Sequence, residues 1–271
     1  MNKKYFFPSG LPRSGCTLLS GLLAQNPALY VSGTSGILGI LTNIRNHWED
    51  VAEFRALDPV LSAQRKLQVL RAALDGYYSD VIHKTVIDKC RGWPQHLEMA
   101  ETILGYKPKM LVTVRDVRDV LASCEKLWRA QKLKNLLIDM EKGNPVDYQS
   151  VDGRCKVLMS GTGMVGSSAN LICDATVRGW GAQMYFVEYD ELCARPHETL
   201  GKIYAFLEID PYTHNCSDVV PSVVENDAAY GWGDLHTIRP VVLPQDPQWP
   251  KYLPTHVAMQ YSNDAKFWKV L

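Results

Sequence analysis

The residues near the amino terminus that could do chemistry form one short glycine-bearing stretch, SGLPRSGCTLL. From Gly10 to Thr17 the spacing is G-x-x-x-x-G-x-T, the pattern of a phosphate-binding loop, except that Cys16 stands where the phosphate-gripping lysine belongs. Arg13 lies inside the loop, and a guanidinium can bind an oxyanion through two parallel hydrogen bonds. Backbone N–H groups, the helix dipole and this cation could therefore hold an anion that carries less charge than ATP.

A phosphosulfate is such an anion, because its phosphoryl and sulfuryl groups carry one formal negative charge each. The usual sulfate donor also has a separate 3′-phosphate on its ribose, so this interpretation requires a second anion site. The stretch VRDVRDVLAS supplies one, because Arg115 ends a predicted buried strand and Ser123 follows two turns into the next helix. The arginine and the hydroxyl could converge on one phosphate.

Strands and helices alternate along the chain, and this order must position both motifs. Strands are predicted at 5–7, 85–89, 109–116 and within 183–192. Helices are predicted at 17–25, 58–80, 98–104, 117–127, 171–180 and 195–209. Such alternation implies crossover connections and an α/β fold with a central parallel sheet flanked by helices. In such a sheet the ligand binds at the carboxyl ends of the strands.

Length and composition favour one domain. The 271 residues, 46% of them apolar, can bury one large core, so we expect a single domain over residues 1–271. Residues 141–169 are rich in glycine and serine and could form either a linker or a mobile substrate loop. Residues 211–271 are rich in proline, and we expect them to wrap and close the domain rather than to form another one.

The charge and cysteine content exclude several classes of partner. Lysine plus arginine and aspartate plus glutamate total 29 each, so no overall field attracts nucleic acid or an acidic membrane surface. The seven cysteines are scattered, without a C-x-x-C pair or metal-ligand spacing, which indicates a reducing compartment and no metal site. No stretch approaches the roughly 20 apolar residues of a membrane span, and the amino terminus lacks the apolar region of a signal peptide. We therefore expect a cytoplasmic protein.

These motifs, in this order, resemble the PAPS-dependent sulfotransferases. That family has a 5′-phosphosulfate loop of the form P-[KR]-S-G-T-T and a 3′-phosphate motif of the form R-x-x-x-D-x-x-x-S. The chain reads PRSGCT at residues 12–17, and Arg115, Asp119 and Ser123 have the spacing of the second motif. Residues 187–209, VEYDELCARPHETLGKIYAFLEI, resemble the family's late strand, turn and helix. The arginine form of the loop is nearer to tyrosylprotein, carbohydrate and short bacterial or cyanophage sulfotransferases than to the cytosolic enzymes.

The resemblance implies a P-loop-like sulfotransferase fold that takes PAPS as the sulfuryl donor, releases PAP and uses no metal. It implies that the donor's 5′-phosphosulfate is held by Arg13, Ser14, Gly15, Cys16 and Thr17. It assigns the 3′-phosphate to Arg115 and Ser123, and it places Tyr189 near that phosphate. The stretch GDLHTIRP resembles a loop that closes over the nucleotide, which makes His236 and Arg239 further cofactor ligands. The acceptor would be a small molecule, a carbohydrate or a tyrosyl group, and a homodimer is one allowed assembly.

The resemblance also implies the catalytic groups. Lys89, in IDKCRGW, resembles the family's active-site lysine and is predicted to stabilise the bridging oxygen of the leaving group. The family's base is a histidine or a glutamate, but the stretch where a tyrosylprotein enzyme has its glutamate reads VSGTSGIL and holds no carboxylate. We therefore predict Asp88 as the base, with His47 and His83 as alternatives.

Two other functions remain open. TVID, which ends at Asp88, could be the magnesium-holding strand of a nucleotide or nucleoside kinase, although a kinase can scarcely lack the loop lysine. The missing glutamate also allows a catalytically inactive relative that still binds the nucleotide. Activity on any acceptor would exclude this second alternative.

Overall fold

The computed structural model describes residues 3–130, 145–230 and 233–271. Within these ranges the strands are β1 (Lys4–Gly10), β2 (Leu29–Thr34), β3 (Thr85–Lys89), β4 (Met110–Val114) and β5 (Met184–Glu188). The α-helices are α1 (Cys16–Leu23), α2 (Ile37–His47), α3 (Ala52–Arg55), α4 (Pro59–Tyr77), α5 (Leu97–Leu104), α6 (Val117–Ala130), α7 (Val151–Met159), α8 (Met164–Ala175), α9 (Tyr189–Ala194), α10 (Pro196–Leu207), α11 (Trp249–Tyr252) and α12 (Thr255–Gln260). None of the described helices is both long enough and apolar enough to cross a membrane.

The sheet is parallel throughout, with its strands in the order β2-β3-β1-β4-β5. The central strand β1 pairs with β3 on one side, where Phe6 is opposite Ile87, and with β4 on the other, where Ser9 is opposite Val112. The chain crosses β1 between β3 and β4, so the loop after β1 lies where the strand order reverses. The predicted α/β fold with a central parallel sheet flanked by helices is confirmed.

Both faces of the sheet are buried, because successive side chains of a strand point to opposite faces. In β1, Tyr5 and Phe7 belong to one apolar core, and Phe6 belongs to the other. Side chains of α2, α4, α5, α6 and α8 complete the first core, and those of α1 and α10 complete the second. Packing on both sides holds the carboxyl ends of β1, β3 and β4 together at one edge.

The glycine-rich region at 141–169 differs from the prediction. Residues 141–144 lie outside the described residues, but α7 and the start of α8 occupy most of the remainder, so the prediction of a linker or loop is wrong there. A Cβ at Gly153 would lie 2.0 Å from Asp147 O, and one at Gly166 would lie 2.2 Å from Met159 O. These glycines therefore allow close backbone packing, which composition alone cannot distinguish from flexibility.

The chain after α10 contacts the body of the domain at several points. The backbone N–H of Val117, at the start of α6, donates to Ala265 O at 2.9 Å. The N–H of Val219 donates to Pro240 O at 2.8 Å, which folds the chain between them back on itself. We call residues 219–242 the return segment; it includes residues 231–232, which lie outside the described ranges.

The end of β1 allows a direct test of this packing. Gly10 has φ 141°, and a Cβ there would lie 2.2 Å from Thr113 O. Gly10→Ala should lower the free energy of unfolding by about 2 kcal/mol or more, because the backbone of β4 would have to move. Gly201, inside α10 with open space around its Cβ position, is the matched control, and Gly201→Ala should stabilise by about 0.5–1 kcal/mol. Urea unfolding measures both, and effects of the same sign would contradict the close packing.

Candidate active site

The loop between β1 and α1 has a sharply curled backbone. Gly10 has φ 141°, Arg13 has φ 58° and Gly15 has φ 93°, so three residues near the turn occupy conformations with positive φ. Gly15 is the N-cap of α1 and gives the helix no side-chain cap. The first N–H groups of α1 have no partner within the helix, and such groups can bind an anion.

Ser14 and Cys16 belong to this loop, and their side chains have different surroundings. The Ser14 hydroxyl is buried and contacts Leu11 O at 2.6 Å, Thr113 O at 2.9 Å and Thr113 Oγ1 at 2.8 Å. Its side chain therefore ties the loop to β4, which leaves only its backbone for a ligand. Burial raises the pKa of the Cys16 thiol, so this position adds no negative charge where the usual pattern has lysine.

Arg115 follows directly after β4 and is nearly fully buried, with 7% of its surface exposed. Its guanidinium lies 4.4 Å from the centre of the Tyr189 ring, and its nearest carboxylate oxygen, Asp119 Oδ2, is 3.9 Å away. Its Nε atom is buried and has no hydrogen-bond partner among the residues that the structure describes. A buried cation with an unused donor is the environment that an anionic ligand would complete.

Asp119 has a structural role beside this arginine. Its Oδ1 accepts from the backbone N–H groups of Gln248, at 2.7 Å, and Trp249, at 2.9 Å. The carboxylate therefore holds the start of α11 against α6. Its other oxygen, Oδ2, lies 3.9 Å from Arg115 NH2, beyond ordinary hydrogen-bond distance.

Arg13 joins the two motifs. Its Nε donates to Ser123 Oγ at 3.1 Å, and its NH1 donates to the carbonyls of Asp234, at 3.3 Å, and Leu235. The loop after β1, the helix after β4 and the return segment therefore meet at one guanidinium. The structure brings together the residues predicted for the 5′ and 3′ ends of one nucleotide.

These residues surround one cavity of about 520 Å³. A pocket of this size suits a nucleotide-sized ligand. A Cβ at Gly15 would lie 2.6 Å from the Tyr189 ring, so glycine is required there by space as well as by φ. The predicted residues that line the cavity are Arg13, Gly15, Cys16, Thr17, Lys89, Arg115, Ser123, Tyr189, His236 and Arg239.

Lys89 is the last residue of β3, and its side chain faces a carboxylate that the sequence analysis missed. Lys89 Nζ lies 2.9 Å from Glu225 Oε1, and both side chains are more than nine-tenths buried. Glu225 also accepts from the Thr34 N–H at 3.0 Å and the Tyr230 hydroxyl at 2.9 Å. Burial favours the neutral carboxyl, but the hydrogen bonds from Lys89, Thr34 and Tyr230 outweigh it and lower the pKa of Glu225 to about 2.

Glu225 therefore supplies a carboxylate at the end of β2, where the sequence shows none. It comes from the return segment and not from β2 itself. Nothing in its local sequence, SVVENDAAY, marks it for this position. The only available signal is that GDLHTIRP, a predicted nucleotide-closing loop, follows shortly after it.

His236 is also held within the return segment. Its Nδ1 lies 2.5 Å from Asp227 Oδ1, and its backbone N–H donates to Asp227 Oδ2 at 3.0 Å. Its Nε2 lies 3.4 Å from Thr34 Oγ1 and 3.8 Å from Glu225 Oε2. The imidazole therefore lies beside the Lys89–Glu225 pair.

The three residues predicted as candidates for the base do not reach the cavity. Asp88 is fully buried, its two carboxylate oxygens accept from the Tyr78 hydroxyl and, at 2.6 Å, from Trp93 Nε1, and burial raises its pKa. In a strand buried on both faces, Asp88 and Lys89 point in opposite directions, and only Lys89 faces the cavity. His47 is exposed and pairs with Asp50 at 2.7 Å. His83 precedes β3 and so lies at the amino ends of the strands, at the opposite edge of the sheet.

The Lys89–Glu225 pair predicts a pH dependence of stability. The pKa of Glu225 is lowered from 4.5 to about 2, so its contribution is full above pH 4.5 and is lost as the pH falls toward 2. Glu225→Gln should lower the free energy of unfolding by something on the order of 2 kcal/mol at neutral pH, because Lys89 loses its buried partner. Urea unfolding at a series of pH values should show this deficit narrowing below pH 4.5. Glu198→Gln, at an exposed helical ion pair, is the control, and a pH-independent deficit in Glu225→Gln would contradict the assignment.

Comparison with known proteins finds one family model and several solved structures that resemble this chain. A family model described as "Sulfotransferase family" matches residues 6–214, whereas no curated protein sequence matches the chain. The sulfotransferase domain of the curacin biosynthetic pathway superposes with a TM-score of 0.53 at 15% identity, over 99% of this chain and 91% of that one. The sulfotransferase domain of the Synechococcus PCC 7002 olefin synthase gives 0.48 at 18% identity, over 96% and 95%.

At these identities the structural neighbours show likeness of fold alone. The family model is the stronger finding, because it covers well over half of the chain, from β1 to the residues after α10. It confirms the resemblance drawn from the sequence motifs. The chain belongs to the sulfotransferase family.

Proposed function

We propose that this protein transfers a sulfuryl group from PAPS to a hydroxyl or amine of an acceptor and releases PAP, without a metal ion. The observation that carries the proposal is the buried Arg115, whose Nε lacks a protein partner in the described chain and which lines the same cavity as the lysine-free loop. The distinctive feature of PAPS is that it carries anionic groups at both its 5′ and 3′ positions. A cavity with one cationic site for each group fits that donor.

The residues present fit the donor at both ends. Backbone N–H groups at Gly15, Cys16 and Thr17, together with Arg13, would hold the 5′-phosphosulfate. Arg115 and Ser123 would hold the 3′-phosphate, and stacking of the Arg115 guanidinium on the Tyr189 ring would fix its orientation. Arg239 lines the same cavity from the return segment and would close over the nucleotide.

Lys89 is the group proposed to act on the reaction itself. PAPS supplies a sulfuryl group bonded to a phosphate leaving group, and negative charge grows on the bridging oxygen as that bond breaks. A preorganised cation in a pocket shielded from water stabilises such charge. Lys89 lines the cavity with Cys16, and its hydrogen bond to Glu225 holds the ammonium in place until a ligand competes for it.

The kinase alternative is not favoured by the geometry. A P-loop kinase needs a carboxylate for magnesium, and the candidate Asp88 has both oxygens engaged by Tyr78 and Trp93. The acceptor remains a small molecule, a carbohydrate or a tyrosyl group in this proposal.

Nucleotide binding tests the proposal. Calorimetric titration should show that PAP binds without added metal and that ATP with magnesium binds much more weakly. Arg115→Ala should weaken PAP binding by about 2 kcal/mol, which is roughly 30-fold, because a charge-assisted contact to phosphate is lost. Arg195→Ala removes an exposed guanidinium and is the control, which should bind PAP like the wild type. Binding of magnesium ATP alone would refute the assignment of both phosphate sites.

Turnover of PAPS tests the role of Lys89. Lys89→Gln should lower the rate of PAP formation by about 10²- to 10³-fold, as expected for loss of one charge-stabilising donor. Chromatography would measure PAP formed with water, phenols, sugars or a tyrosyl peptide as the acceptor. Lys202→Gln, which removes an exposed lysine paired with Glu198, should keep the wild-type rate. An equal rate in Lys89→Gln and the wild type would remove Lys89 from the reaction.

A further inference from the structure

His236 lines the cavity, is paired with Asp227 behind it, and has no role in the function proposed above. Asp227 holds His236 at two points, through the imidazole Nδ1 at 2.5 Å and the backbone N–H at 3.0 Å. Two contacts from one carboxylate fix both the position of the residue and the rotation of its ring. Both side chains are largely buried, with 20% of His236 and 15% of Asp227 exposed.

The contact with Asp227 also determines which ring nitrogen carries the proton. A carboxylate beside Nδ1 favours the tautomer in which Nδ1 carries the hydrogen, which leaves a lone pair on Nε2. Nε2 lies 3.4 Å from the hydroxyl of Thr34, a residue that itself lines the cavity. In that tautomer the Thr34 hydroxyl donates to Nε2 over a long distance, so the hydroxyl of a bound acceptor would take the place of Thr34 to reach this nitrogen.

The charged and titratable groups around the imidazole leave Nε2 able to accept a proton. Glu225 Oε2 lies 3.8 Å from Nε2, and the Tyr230 ring lies 5.3 Å from the imidazole ring. Lys89 binds the other oxygen of Glu225 at 2.9 Å and so offsets its charge. Asp227 provides the remaining carboxylate at Nδ1.

Other candidates for the base are excluded by their surroundings. Asp88 is sealed behind Tyr78 and Trp93, and the pair formed by His47 and Asp50 lies on an exposed helix end. Glu225 accepts hydrogen bonds from three donors, and its lowered pKa makes it a weak base. The lone pair on His236 Nε2 is the group that can accept a proton.

We propose that His236 is the general base and that Asp227 is its positioning residue. This inference rests on the proposed sulfuryl transfer. His236 Nε2 takes the proton of the acceptor hydroxyl as the hydroxyl oxygen bonds to sulfur. The bond between sulfur and the bridging oxygen of PAPS breaks, and its electron pair leaves with PAP. The imidazolium that forms is stabilised by the Asp227 carboxylate and later returns its proton to water.

His236→Gln and Asp227→Asn test the pair, with His47→Gln and Asp50→Asn as controls from a histidine–aspartate pair outside the cavity. PAP binding is measured by calorimetry, and PAPS turnover is measured with water as the acceptor. His236→Gln should bind PAP within about threefold of the wild type but lower turnover by about 10²- to 10⁴-fold. Asp227→Asn should lower turnover by about tenfold or more, and both controls should match the wild type.

Nitrogen NMR of the labelled imidazoles gives a readout that does not depend on turnover. The signal of His236, identified by its loss in His236→Gln, should show the proton of the neutral ring on Nδ1 in the wild type. Asp227→Asn should shift that proton toward Nε2.

The outcomes distinguish a failure of the proposed sulfuryl transfer from a failure of the assignment of His236 as the base. A wild-type protein that does not bind PAP refutes the proposed function itself. If the wild type binds PAP, unchanged turnover in His236→Gln, or turnover absent from the wild type, overturns the assignment of His236 as the base. A large loss of PAP binding in His236→Gln would instead make His236 a nucleotide ligand, which also overturns the proposal.

Discussion

The site is organised around a buried guanidinium, that of Arg115, which keeps one donor without a partner in the described part of the chain. Arg115 is 7% exposed, its Nε has no partner in the described ranges, and the nearest carboxylate is shared with two backbone N–H groups. Placing a cation in such a position costs free energy unless a counter-charge completes it. The Tyr189 ring stacks on Arg115, and the Arg13–Ser123 hydrogen bond joins the loop after β1 to the helix after β4 beside it. In the proposed function, the 3′-phosphate of PAPS supplies the counter-charge at this position.

The loop after β1 has no lysine, and other residues bring positive charge to the cavity in its place. Positive charge reaches the cavity from Arg13 inside the loop and from Lys89 at the end of the neighbouring strand β3. Cys16 contributes its backbone N–H and a thiol that burial keeps neutral. Two cations on separate elements can be assigned separate tasks, one for binding the donor and one for the departing oxygen.

Sequence reasoning succeeded where the signal is local. The strand at 85–89 was predicted from its β-branched residues and is confirmed as β3, and Arg115 and Ser123 line one cavity because they lie at the end of β4 and on the helix that follows. It failed for Glu225, Asp227 and Tyr230, because the return segment reaches the cavity only through tertiary packing. It failed for Asp88 because the alternation of a strand buried on both faces turns neighbouring residues away from each other. The contact between Asp227 and His236 could not be predicted from the sequence either, because it forms only when the return segment folds back on itself.

A crystal structure of the protein with PAP would show directly whether this one cavity binds both phosphates of the nucleotide. We expect the 5′-phosphate to contact the backbone N–H groups of residues 15–17 and the 3′-phosphate to lie within hydrogen-bond distance of Arg115 Nε and Ser123 Oγ. Lys89 should face the 5′ side of the nucleotide, and His236 Nε2 should face the remaining open space where an acceptor would bind. A PAP molecule with its 3′-phosphate in solvent, or bound outside this cavity, would contradict the account.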